Sequence, residues 1–213
     1  MMIRVKICGI TNLEDALVAA DAGADMLGFI FYPPSPRYIA PERAHEIAVA
    51  LHERIAAPKL AGVFVNAPLE QIRDVMEQTQ IDLAQLHGQE SAETVRQLAP
   101  RVYKTLQPAN ADHARLLMAC YRSCVNGNTP AFMVDGKPQN LPGGNGVRAD
   151  WEIAAELARE FPILLAGGLN AENVAEAVRV VRPWGVDVSS GVERAPGLKD
   201  HAKVRTFIEA AKQ

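Results

Sequence analysis

Ile163-Leu164-Leu165-Ala166-Gly167-Gly168-Leu169-Asn170-Ala171-Glu172-Asn173-Val174 is the most telling stretch of this chain. Four apolar residues in a row, stopped by glycine, read as a short strand buried on both faces, the kind found inside parallel sheets. The two glycines turn the chain, and Asn170 is placed to cap a helix that starts behind it. The segment is therefore a βα unit. To either side the same unit recurs at intervals of roughly 20–35 residues. Apolar runs stand at residues 3–7, 26–31, 60–65, 83–86, 102–106, 131–134, 163–166 and 186–188. The stretches between them read as amphipathic helices. Asn12 caps the first, with Glu14 and Asp15 in its opening turn; Pro41 opens the second; Asp200 begins the last.

A repeat of strand and helix predicts a parallel sheet. Eight units, with no room for a second domain in the chain, predict a single-domain closed (β/α)8 TIM barrel over residues 1–213. A doubly wound open sheet is the next candidate, but no G-x-G-x-x-G opens the first helix.

The composition narrows the function classes. Of the 213 residues, 48% are hydrophobic and 22% charged, so the chain carries enough apolar material for a substantial core. A net charge of −3 without a basic block argues against nucleic acid as a partner. The first residues are charged too early for a signal peptide, and no run approaches the roughly 18–20 apolar residues of a membrane helix. Three cysteines cannot complete a set of internal disulfides, which fits a reducing compartment. A cytoplasmic enzyme with no membrane partner is the expectation. Cys120 and Cys124 fall one turn apart on a predicted helix, two ligands short of a metal site.

In parallel barrels chemistry sits where strands end. The runs here lead into Cys8-Gly9, Pro33-Pro34-Ser35-Pro36-Arg37, His87-Gly88, Asp135-Gly136, Gly167-Gly168 and Ser189-Ser190-Gly191. Gly167, Gly168, Ser189, Ser190 and Gly191 supply backbone amides that can approach an anion closely, and the loops after strands seven and eight are where barrels hold phosphate. Cys8 is a thiol at the rim, able to act as base or nucleophile if the rim amides favour its thiolate. Asp135 is a carboxyl suited to proton transfer. Arg37, behind a proline-stiffened loop, suits a carboxylate or phosphate. His87 either touches ligand or orders its loop. Asp187 would repel a phosphate and is expected in a buried structural role or in a link to Arg37. The Gly/Pro-rich stretch 136–146 is a candidate lid.

Taken together and in order, these segments resemble phosphoribosylanthranilate isomerase, the Amadori-rearrangement enzyme of tryptophan biosynthesis. The resemblance is carried by Val5-Lys6-Ile7-Cys8-Gly9-Ile10-Thr11, Ser35-Pro36-Arg37-Tyr38, Gly62-Val63-Phe64-Val65-Asn66 and Gln85-Leu86-His87-Gly88. It continues through Asp135, Leu165-Ala166-Gly167-Gly168-Leu169, Asp187-Val188-Ser189-Ser190-Gly191-Val192-Glu193 and Gly197-Leu198-Lys199-Asp200. The family's Gly-Gly-Thr-Gly reads Gly143-Gly144-Asn145-Gly146 here, and its Phe-Asp-Trp reads Ala149-Asp150-Trp151. The resemblance implies a (β/α)8 barrel in which Cys8 is the general base, Asp135 the general acid, and Arg37 the partner of the anthranilate carboxylate. The phosphate of a small phosphoribosyl substrate would rest on the amides after strands seven and eight. It implies no cofactor and no metal, and the chain is expected as a monomer or homodimer. Neighbouring phosphosugar enzymes fit less well. An indole-glycerol-phosphate synthase would need a lysine acid, for which Lys6 and Lys104 are available, with glutamates at strand ends. A histidine-pathway aminoaldose isomerase would need aspartate where Cys8 stands. A phosphoribosyl sensor on a dead barrel would need neither Cys8 nor Asp135.

Overall fold

The computed structural model describes residues 2–125, 130–136 and 150–213. Within them eight parallel strands close on themselves in chain order: β1 (Arg4–Cys8), β2 (Met26–Ile30), β3 (Lys59–Phe64), β4 (Leu83–Leu86), β5 (Val102–Leu106), β6 (Phe132–Val134), β7 (Ile163–Leu165) and β8 (Gly185–Val188). The helices α1 (Leu13–Asp21), α2 (Pro41–His52), α3 (Leu69–Thr79), α4 (Ala92–Leu98), α5 (Ala111–Tyr121), α6 (Trp151–Glu160), α7 (Val174–Val181) and α8 (His201–Lys212) alternate with the strands. The architecture is the expected (β/α)8 barrel. No helix among the described residues is long and apolar enough to cross a membrane.

The strands are mainly apolar because both faces are buried, against different neighbours. One parity, including Val5, Ile7, Leu27, Phe29, Phe132 and Val186, joins the apolar faces of the helices in the large outer core. The other parity points to the barrel axis, where Met26, Ala61, Leu83, Tyr103, Met133 and Leu164 form a separate cluster. Period two then carries the inward parity up to Cys8, Gln85, His87, Asp135 and Asp187 at the C-terminal rim. Lys104 belongs to the outward parity. It binds Glu90 at 3.1 Å and the carbonyls of Leu86 and Gly88, and so stays clear of the axis.

Three local expectations change. Helix α7 begins at Val174 with Asn173 in the N-cap position, and Asn170 closes the turn before it, its Oδ1 accepting from the amides of Glu172 and Asn173. The cause is the left-handed backbone at Gly167 and Gly168, after which one more turn is needed before a helix can run back along the barrel. Cys120 is exposed on α5, whereas Cys124 lies in the following 3-10 turn, buried, its thiol donating to the Ala92 carbonyl, so the two do not share a helix. A small antiparallel hairpin, β9 (Glu193–Ala195) and β10 (Leu198–Lys199), comes after β8 where only a loop was expected. Of the candidate lid, only Gly136 is among the described residues.

The ends of the chain are joined by one buried carboxylate. Asp15 of α1, 3% exposed, accepts from the Lys199 amide at 2.9 Å, from His201 Nε2 at 2.8 Å and from Asn12 Nδ2 at 2.8 Å. It ties the first helix to β10 and α8. Asp15→Ala leaves these donors without their acceptor and is expected to lower unfolding stability by about 1–3 kcal/mol, read from the urea midpoint at constant m-value. An unchanged midpoint would remove Asp15 from the joint.

Candidate active site

The rim encloses a cleft of about 730 Å³, its open mouth included. Cys8, Arg37, His87, Asp135, Gly167, Gly168, Ser189, Ser190 and Gly191 all line it, so the strand-end candidates for catalysis and substrate binding reach one place. They come from six different strand ends, which closure of the barrel alone brings together.

The far wall is built from the loops after β7 and β8. Gly167 and Gly168 have φ of +92° and +65°, a backbone that a side chain would strain. The loop is pinned where Asn173 Nδ2 donates to the Gly168 carbonyl at 2.9 Å. A Cβ on Gly191 would overlap the Leu169 carbonyl oxygen, so the two loops touch only because that side chain is missing. Beside them Ser189 Oγ is buried and has no hydrogen-bond partner among the described residues. Buried hydroxyls are ordinarily hydrogen-bonded, so this one is an unmet donor and acceptor at the rim.

Next to these loops, at the end of β6, which pairs with β7, stands the carboxyl. Asp135 Oδ1 accepts from the Gly136 amide at 2.8 Å, and Oδ2 stands 3.3 Å from His87 Nε2. Gln85 Nε2 donates to His87 Nδ1 at 3.0 Å, which places the ring proton on Nε2, facing Asp135, and Gln107 Nε2 lies 3.2 Å from the same nitrogen. Gln85 is itself fixed by Tyr103, whose hydroxyl donates to Oε1 at 2.9 Å. His87 thus links a buried amide network to the Asp135 carboxyl rather than merely ordering its own loop.

Cys8 is 6% exposed, and its surroundings are not those expected. Burial pushes the thiol up from its ordinary value, and Asp187 pushes it further; Lys6 and Lys199 draw it down without reversing the shift. The expected preference of the rim amides for thiolate does not govern it, because the sulfur lies among side chains at the barrel mouth. Directly beneath, Lys6 is fully buried and its Nζ donates to Asp187 Oδ1 at 2.7 Å. Burial works against the ammonium most strongly, but Asp187, then Cys8 and Tyr103, outweigh it, and the Lys6 pKa stands above the ordinary lysine value.

Asp187 therefore pairs with Lys6 and not with Arg37. Arg37 instead meets Glu193, Nε donating to Oε1 at 2.9 Å and Nη2 to Oε2 at 2.7 Å. Asp187 points along the barrel axis, whereas the Arg37 guanidinium lies outside it over β9. The same Glu193 accepts from Lys199 Nζ at 2.9 Å, and Lys199 also donates to the Cys8 carbonyl at 2.5 Å. Burial depresses the Lys199 pKa more than Glu193 restores it. With Nε and Nη2 engaged, Nη1 carries no hydrogen bond to protein among the described residues.

Sequence reasoning assigns no role to Glu193 or Gln85, and considers Lys6 only as an acid for another reaction. The hairpin that aims Glu193 at Arg37 has no sequence signature. Two mainly apolar strands, interrupted by Lys6 in β1 and by Gln85 in β4, are the available signal, since a buried polar residue in a core strand needs a partner.

Burial pushes the Glu193 carboxyl up, but the Arg37 hydrogen bonds and the Lys199 charge hold it below the ordinary carboxylate value. A depressed folded-state pKa gives stability that is present above the unfolded value, about 4.3, and lost as pH falls through the folded one. Glu193→Gln is expected to flatten the loss of stability below about pH 5, measured by urea unfolding at a series of pH values. Identical pH slopes in both proteins would count against the pairing.

A closed parallel barrel whose rim collects a thiol, a carboxyl and an arginine around a glycine-lined cleft is an enzyme of the (β/α)8 class. A family model described as N-(5'phosphoribosyl)anthranilate (PRA) isomerase matches residues 5–210. The chain is 46% identical over 212 residues to the N-(5'-phosphoribosyl)anthranilate isomerase of Pelobacter propionicus, covering 100% of this chain and 97% of the relative. It is similar to the crystal structure of phosphoribosyl anthranilate isomerase from Thermotoga maritima, with 44% identity, 99% of each chain covered and a TM-score of 0.87. A crystal structure of phosphoribosyl anthranilate isomerase in complex with reduced 1-(o-carboxyphenylamino)-1-deoxyribulose 5-phosphate matches at 43% identity, 99% of each chain and a TM-score of 0.84. The chain belongs to the N-(5'-phosphoribosyl)anthranilate isomerase family.

Proposed function

We propose that this chain, as one domain, catalyses the Amadori rearrangement of N-(5-phosphoribosyl)anthranilate to 1-(2-carboxyphenylamino)-1-deoxyribulose 5-phosphate in tryptophan biosynthesis, with Asp135 as general acid and Cys8 as general base. The observation that carries the reading is the placement of Cys8 and Asp135, from β1 and from the end of β6, on one cleft with the glycine loops at its far wall. A relative of the same fold is known in complex with the reduced product.

Each step uses a group at hand. Asp135 gives a proton to the ribose ring oxygen as the C1′–O bond breaks, and the aniline nitrogen lone pair forms the C=N bond of an iminium. That cation acidifies the C2′ proton, which the Cys8 thiolate removes; the C–H electron pair becomes the C1′=C2′ bond of an enolamine. Loss of the enol proton and protonation at C1′ then give the ketone. An acid and a base on separate strands flank the sugar and do not quench each other. The phosphate lies on the amides near Gly168, Ser190 and Gly191, where it also satisfies Ser189 Oγ. Arg37, held by Glu193, offers Nη1 to the anthranilate carboxylate. His87 steadies the Asp135 carboxyl. The chemistry needs no cofactor and no metal, and it suits a cytoplasmic enzyme, monomeric or homodimeric, whose partner is the small phosphoribosyl substrate.

The direct test monitors the disappearance of phosphoribosylanthranilate fluorescence. Cys8→Ala and Asp135→Asn are each expected to lower kcat by on the order of 10²-fold or more while substrate still binds, the scale of general acid–base catalysis. Near-native kcat in either variant rejects that residue as proton carrier. Arg37→Ala is expected to raise KM about 10–100-fold, since a charge-assisted hydrogen bond contributes about 1.5–3 kcal/mol; an unchanged kcat/KM would place the carboxylate elsewhere. Inorganic phosphate is expected to compete with substrate, and a ligand-bound crystal structure with the phosphate away from Gly168 and Ser190 would overturn the cradle.

A further inference from the structure

We propose that Lys6 is a positioning residue for the base: its buried ammonium, oriented by Asp187, is the counter-ion of the Cys8 thiolate. The proposal rests on the reading of Cys8 as the base and adds a cation beneath it. Lys6 and Cys8 are two residues apart on β1 and therefore share its inward face. They share one space as well. A Cβ on Gly28, across the strand pair, would stand 2.8 Å from Cys8 Sγ and 3.1 Å from Lys6 Nζ. The missing side chain at Gly28 is what lets sulfur and ammonium occupy the same hollow.

Asp187 makes the arrangement directional. It is the register partner of Lys6 across the β1–β8 seam, and its Oδ1 takes one of the three ammonium protons at 2.7 Å. Two ammonium protons remain, and the Cys8 thiol and the Tyr103 hydroxyl are the other groups that feel the Lys6 charge. A lysine with no exposed surface is rarely kept without a paired charge. Asp187 alone supplies that pair when Cys8 is a thiol. When Cys8 ionises, the same cation has a second anion beside it in the hollow over Gly28.

The charged and titratable groups facing Cys8 are Lys6 on its own strand, Asp187 on β8, Lys199 on β10 and Tyr103 on β5; β2 presents only Gly28 there. Lys6 is the cation with the largest effect on the thiol, and its hydrogen bond to Asp187 favours the ammonium form. The thiol proton leaves to solvent through the open cleft, Lys6 keeps its own three, and the thiolate then takes the substrate C2′ proton.

The test removes Lys6 in two backgrounds. Lys6→Met is compared with the unaltered chain, and Lys6→Met/Asp187→Asn with Asp187→Asn, so that a buried unpaired carboxylate does not decide the result. Alkylation of Cys8 by iodoacetamide is measured against pH by mass spectrometry of the Cys8 peptide, which reports thiolate independently of turnover. Loss of Lys6 is expected to move the midpoint up by about one pH unit or more in either background, about tenfold less thiolate at a fixed pH below the midpoint. The acidic limb of kcat/KM moves with it. Asp187→Asn alone moves the midpoint down, because it removes an anion and leaves the cation. A midpoint unaffected by loss of Lys6 in each background that folds makes the Lys6–Asp187 pair a strut and overturns the proposal. Full turnover by Cys8→Ala is a separate result: it defeats the base assignment while the alkylation midpoint still reports what Lys6 does to the thiol.

Discussion

The barrel closes on an ion pair. Lys6 on the first strand and Asp187 on the last are register partners across the seam, joined at 2.7 Å in a setting where Lys6 has no exposed surface. Such a pair is not a simple gain in stability, since taking two charges out of water costs several kcal/mol, about what their attraction returns. What it does fix is the seam. A slip of one residue would turn Lys6 outward into the apolar layer under the helices and leave Asp187 alone at the axis. Everything at the rim is measured from that register: Cys8 stands one pleat above Lys6, and Ser189, Ser190 and Gly191 come just beyond Asp187 and Val188.

Above the seam two buried networks divide the rim between them. One is centred on Glu193, which holds Arg37 and Lys199, while Lys199 reaches back to the Cys8 carbonyl. The other runs from Tyr103 through Gln85 and His87 to Asp135. The first braces the thiol side of the cleft and the second the carboxyl side. Below both, Met26, Leu83, Met133 and Leu164 fill the axis with apolar side chains. Polar groups held at both ends, on a packed base, hold each side of the rim in place.

The apolar runs are legible because burial on both faces leaves few polar positions to blur them, as in Ile163-Leu164-Leu165. Cys8, Asp135 and the glycine loops were legible because strand ends in a barrel face one way. Asn170 was misplaced by the same local logic: an asparagine after two glycines reads as a helix cap, yet their left-handed backbone delays the helix to Val174. Arg37 reaches the cleft as expected, but the link to Asp187 that the sequence allowed is not made, because adjacency of loops does not reveal which way an inward carboxylate points. Glu193 went unassigned, since the hairpin that turns it toward Arg37 has only two short strands and no apolar alternation.

The βα repeat, the closed barrel and the set of residues delivered to the rim were all written in the chain, because period, capping and strand-end position are local properties. Which charges meet was settled only in three dimensions. Lys6 finds Asp187, Arg37 finds Glu193, and the Cys8 thiol is pushed up rather than down. Those outcomes depend on burial and on distances between residues from opposite ends of the chain, and both exist only after the first strand has paired with the last.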